Sequence, residues 1–149
     1  MSRAFIKEDV EVAERPMLRR SSSGLPPGTL NLMTADGAEY LRERMLELKR
    51  VHPKDPDIPH LEAVLQSATI VQPIDTLHSI VFGSAVHLQS DSGQQAVYRI
   101  VGVDEVDLSP HYVSWVSYLG RTLLGAGGLG ARISLSPSQR SVWTVKSIE

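Results

Sequence analysis

Val81-Phe82-Gly83-Ser84-Ala85-Val86-His87-Leu88, then Asp91-Ser92-Gly93, then Gln95-Ala96-Val97-Tyr98-Arg99-Ile100-Val101 decide the fold. The two outer runs are apolar with a period of two, and the Asp-Ser-Gly segment between them is turn chemistry, so the stretch predicts a β-hairpin. Phe82, Val86 and Leu88 share one face of the first strand, while in the second Val97, Arg99 and Val101 alternate with Ala96, Tyr98 and Ile100. One face is therefore expected in the core and the other half-solvated. Downstream, Tyr112-Val113-Ser114-Trp115-Val116 predicts a third strand, residues 119–124 one or two helical turns, and residues 131–135 and 141–148 two more strands. Strands outnumber helices in this half, which predicts a small α+β sheet domain with one short helix laid on it.

Working outward toward the N-terminus, the period changes from two to 3.6. Thr34 is a good N-cap, Asp36 suits the positive end of a helix dipole, and Leu32 or Met33 is placed to staple back onto the first turn. Ala38, Leu41, Met45 and Leu48 then form an apolar stripe, with Glu39, Arg42, Glu43, Arg44, Glu47 and Lys49 off it. Pro53, Pro56 and Pro59 stop this helix, and Pro59 fits the first position of a second one. Leu61, Val64, Leu65 and Ala68 give the second helix a matching stripe, so a helical hairpin is expected, with helices at 34–51 and 59–70. At about 1.5 Å per residue these helices span about 27 Å and about 18 Å. The first 31 residues mix charges with Arg19-Arg20-Ser21-Ser22-Ser23-Gly24 and Pro26-Pro27-Gly28 and have few large apolar side chains, which reads as a solvated tail or linker.

The chain has 149 residues, is 42% hydrophobic and carries a formal charge of -2. That length holds one substantial core plus an appendage. The charge supplies no electrostatic footprint for nucleic acid, so direct nucleic-acid binding is not expected. There is no cysteine, hence no disulfide framework, thiolate metal site or cysteine nucleophile. No apolar run is long enough to span a bilayer, and a cytoplasmic monomer without cofactor or metal is expected.

Gly125-Ala126-Gly127-Gly128-Leu129-Gly130 satisfies the spacing of a dinucleotide fingerprint, but it follows a helix instead of a strand and is expected to be a helix C-cap and turn. His52, His60, His78, His87 and His111 lack the spacing of a helical metal site, and Asp75, Asp104, Glu105 and Asp107 read as solvated turn carboxylates. No nucleophile elbow is present, so a hydrolase triad is unsupported, and a non-catalytic binding protein is expected. Two groups remain as candidate sites. Asp55 and Asp57 at the hairpin tip are turn and cap residues on the simpler reading, yet two carboxylates around a proline can also face one way. Ser117-Tyr118-Leu119-Gly120-Arg121 opens the short helix; Leu119 would pin it to the sheet while Tyr118 and Arg121 face outward as interface chemistry, or Tyr118 covers the edge of the core.

Three separated blocks carry a family resemblance: residues 81–86, residues 98–105 (Tyr98-Arg99-Ile100-Val101-Gly102-Val103-Asp104-Glu105) and residues 117–125 (Ser117-Tyr118-Leu119-Gly120-Arg121-Thr122-Leu123-Leu124-Gly125). In that order they resemble the C-terminal domain of the GreA/GreB transcript-cleavage and elongation factors, whose pattern is roughly V-x-F-G-x-x-V, Y-x-I-V-G-x-D-E and S-P-L-A-R-A-L-L-G. Met33-Thr34-Ala35-Asp36-Gly37-Ala38-Glu39-Tyr40-Leu41 similarly resembles the opening of that family's coiled coil. The resemblance implies an α+β fold in which a short antiparallel helical hairpin (32–72) follows the tail (1–31) and precedes an FKBP-like antiparallel β-sheet domain with one short helix (73–149).

It also implies RNA polymerase as partner, gripped near the secondary channel by the C-terminal domain, with Ser117, Tyr118, Leu119 and Arg121 on the gripping surface. The family pattern has proline at the place of Tyr118, and Ala126 and Ala131 replace its Lys and Asp near the following turn. The family's acidic coil tip, D-L-S-E-N-A-E-Y, has no counterpart here, and the hairpin is shorter than the family's coil. In this the chain resembles the Rnk-type branch. The resulting expectation is a regulator of transcription elongation that does not stimulate cleavage. An active cleavage factor using Asp55 and Asp57, or a Rnk-like regulator of nucleoside diphosphate kinase, are the alternatives.

Overall fold

A computed structural model describes residues 25, 28–72 and 78–149. The serine-rich basic segment at 19–24 and Asp75 lie outside the described residues. The elements in chain order are β1 (Asn31–Thr34), α1 (Ala35–Val51), α2 (Asp57–Ser67), β2 (Ala68–Val71), β3 (Ala85–Ser90), β4 (Gln95–Val101), a 3-10 turn (Val106–Leu108), β5 (Tyr112–Ser114), α3 (Tyr118–Ala126), β6 (Arg132–Ile133) and β7 (Trp143–Ile148). Among the described residues they form two compact units: residues 41–68 together with 25 and 28–31, and residues 32–40 together with 69–72 and 78–149.

The first unit is built by the helical hairpin. Leu41 on α1 and Ile58, Leu61 and Val64 on α2 are buried, with Met45, Leu48 and Leu65 half-buried beside them, so the two apolar stripes face each other. Lys49 on α1 and Glu62 on α2 meet across the exposed side at 3.0 Å. The 17 residues of α1 and the 11 of α2 correspond to about 25 Å and about 16 Å of helix. The second helix starts two residues before the expected proline, so Pro59 falls within the first turn, where a missing N–H is still without cost. It also ends earlier than expected, at Ser67. Thr69-Ile70-Val71 is a β-branched run, and it leaves the helix to form β2, which pairs with β1 in a two-stranded sheet.

In the second unit the five-stranded sheet has the order β5-β4-β3-β7-β6. The expected hairpin is present: β3 and β4 are antiparallel in the register Ala85↔Arg99 to Gln89↔Gln95, and the turn at 91–94 closes with Gln94 N–H donating to Ser90 Oγ. The first strand begins at Ala85 because residues 81–84 form a tight turn, with Ser84 N–H bonded to Val81 O and Val81 N–H bonded to Ser84 Oγ. Pairing with β7 is antiparallel and shifts register between His87 and Leu88.

One pair departs from the antiparallel expectation. The segment 102–111, containing the 3-10 turn, carries the chain back toward the start of β4, so β5 runs parallel to it (Arg99↔Tyr112) and the sheet is mixed. The core lies on the sheet face covered by α3: Val86, Leu88, Ile100, Trp143, Val145 and Ile148 pack with Leu123 of α3 and with Ile80 and Ile133. At the end of β4 the alternation stops. Ile100 and Val101 are both fully buried, which means the strand is covered on both faces where residue 102 leaves it.

Candidate functional site

The N-terminus of α3 is formed by a local device. Ser117 sits in extended geometry as N-cap, its Oγ accepts the Gly120 N–H at 3.0 Å, and the same hydroxyl donates to Ser114 O at 2.6 Å. Leu119 packs half-buried against the sheet core. Between these anchors Tyr118 is 39% exposed and Arg121 is exposed, its Nε reaching only the Ser117 carbonyl at 3.4 Å. The four residues are thus brought together, but in two roles: Ser117 and Leu119 fix the helix, while Tyr118 and Arg121 present an aromatic ring and a guanidinium to solvent. At the other end of α3, Gly127 caps the helix with φ +95°, as expected for a glycine-rich C-cap and turn.

At the hairpin tip, Asp55 accepts the Asp57 N–H at 2.8 Å, so its carboxylate closes the turn and caps α2, whose N-cap position is a proline without a side-chain bond. Asp57 is exposed. Among the described residues no group of three or more His, Asp or Glu side chains is placed to hold a metal ion. His52, His60, His78 and His111 are exposed, and His87 pairs with Glu149 at 2.9 Å.

A third location was read as a solvated turn and is the reverse. Glu105 has no exposed surface. Its carboxylate accepts the Thr34 N–H at 3.0 Å, the Gly102 N–H at 2.7 Å and the Thr34 hydroxyl. Thr34 Oγ1 in turn accepts the Gly37 N–H at 3.0 Å, capping α1 as expected. A turn-like sequence such as Val103-Asp104-Glu105 carries no local mark of burial, because two of the three donors that satisfy the carboxylate belong to Thr34, 71 positions away. Close by, a cleft of about 410 Å³ is lined by residues that include Asp36, Phe82, Ser84 and Arg99. Arg99 is already engaged there: its Nε donates to Gly83 O at 3.1 Å, it lies 3.7 Å from Asp36, and it stands 5.8 Å over the Tyr112 ring.

The molecule is therefore a two-unit α+β protein that pairs a helical hairpin with a mixed sheet carrying one capped helix. The family model described as "Transcription elongation factor, GreA/GreB, C-term" matches residues 75–149. GreB of Neisseria meningitidis is 30% identical over 119 residues, spanning 77% of this chain and 69% of that protein. GreB of Pseudomonas aeruginosa is 32% identical over 117 residues, spanning 77% and 67%. The solved GreA/GreB structure from Nitrosomonas europaea overlays 78% of this chain and 97% of its own at 23% identity, with a TM-score of 0.42. The chain belongs to the GreA/GreB family of transcription elongation factors. No helix among the described residues is long and apolar enough to cross a membrane.

Proposed function

We propose that this protein regulates transcription elongation by docking as a monomer on RNA polymerase near its secondary channel, through the sheet unit, and that it does so without stimulating transcript cleavage and without contacting nucleic acid sequence-specifically. Tyr118 and Arg121, held outward on a capped helix, are the side chains proposed to grip the partner. The observation that carries the proposal is the tip. A hairpin of 17 and 11 helical residues ends in a turn where Asp55 is bonded to the Asp57 N–H, leaving Asp57 as the carboxylate not used by the turn itself. Holding a catalytic cation takes several oxygen ligands at short range, which one carboxylate on a short arm does not supply.

The decisive experiment adds the protein to a backtracked elongation complex, alone and together with an active Gre factor. The expected result is no cleavage by the protein alone and a dose-dependent loss of cleavage by the Gre factor. Cleavage that disappears in the D55A/D57A double variant would instead identify an active cleavage factor working through the tip. Failure to retain polymerase at all would move the partner elsewhere, with nucleoside diphosphate kinase the first to try.

A further inference from the structure

We infer that Glu105 is a positioning residue: its buried carboxylate clasps the first turn of α1 to the turn at 102–105, so that the seating of this turn depends on a side chain remote in sequence. Three donors converge on it, two of them from Thr34 alone. Among the described residues it has no cationic partner, and its oxygens are met by two backbone N–H groups and a hydroxyl at the N-terminal end of α1. The space is closed around it. A Cβ built on Gly37 would lie 1.9 Å from Glu105 Oε1, and one built on Gly102 would lie 2.0 Å from Leu32 O and 3.0 Å from Glu105 Oε2. Both glycines are thereby committed to letting backbone and carboxylate approach, which a solvated turn does not require. The chemistry is also one-sided. A glutamine at 105 puts an NH₂ where one of the three donors now finds an acceptor, so the size is kept and the match is lost.

The clasp should transmit to function through α1, a consequence that rests on the elongation reading above. The test compares the full chain as wild type, E105Q, T34V and T34S, by amide hydrogen exchange, by retention on core RNA polymerase and by the effect on elongation through a pause. E105Q and T34V are expected to speed exchange at 35–40 by about tenfold or more while amides of Val86, Leu88 and Ile100 stay within about twofold. T34S, which keeps the hydroxyl, is expected to match wild type. Polymerase retention should hold within about twofold while the effect on elongation falls by about fivefold or more, since none of the clasp's hydrogen bonds involves Tyr118 or Arg121. Unchanged exchange at 35–40 in both variants would overturn the inference. So would equal acceleration in the strands, which would make Glu105 a general core residue, and so would T34S behaving like T34V. If wild type neither binds polymerase nor alters elongation, the proposed function falls, while the exchange pattern still decides the clasp.

Discussion

The hairpin unit and the sheet unit are held together in different ways. In the sheet unit, nine buried apolar residues from four strands, α3 and one connecting segment close on one another, and each is brought in by partners far away in sequence. In the hairpin, Leu41, Ile58, Leu61 and Val64 form a single seam between two helices, and Leu46 and Val51 remain 55% and 44% exposed. A seam between helices of 17 and 11 residues is the part of such a molecule that opens first, because helices of that length are marginal without packing. Packing thus differs between the units: the sheet unit mounts α3, with its exposed Tyr118 and Arg121, on a closed core, and the hairpin rests on one seam.

The comparison is broken most directly at the sheet core. Leu123→Ala, at a fully buried position of α3, is expected to cost about 3 kcal/mol or more in urea denaturation, and a cost below about 1 kcal/mol would mean that α3 is not the lid of the core. Leu61→Ala is expected to cost about 2 kcal/mol, read as faster amide exchange within 41–67 while the strands stay protected; if both units loosen together, they are not independent in stability. Gly37→Ala probes the start of α1 inside the sheet unit: with no room for a methyl beside Glu105, a loss of about 1–3 kcal/mol is expected, against a small gain from helix propensity were the site open. Ser117→Ala removes the α3 cap and should lower stability by about 1 kcal/mol, visible as a shifted denaturation midpoint. Smallest of all, Lys49→Ala at the exposed hairpin ion pair is expected to stay within about 0.5 kcal/mol of wild type.

The family resemblance and the α+β fold were both legible in the chain, as were Thr34 as cap of α1, the 85–101 β-hairpin and the short helix after Ser117. Each of these rests on neighbours within a few residues, where apolar period, turn chemistry and capping act. The candidate surface was legible as a cluster with roles assigned in part. Leu119 as the anchor and Tyr118 and Arg121 as outward-facing were one of its two readings; the bond from the Ser117 hydroxyl to Ser114 O was not legible. The strands β1 and β2 were missed because four-residue pieces are too short for a period, although Thr69-Ile70-Val71 was a usable signal.

Sequence by itself determined the order and type of the long elements, since propensity and hydrophobic period are properties of contiguous residues. Tertiary structure alone decided that β5 runs parallel and that Glu105 is buried with three donors. The direction of an edge strand follows from where a connection lands, and burial of a carboxylate is tolerable only where distant backbone N–H groups have already been brought together to receive it.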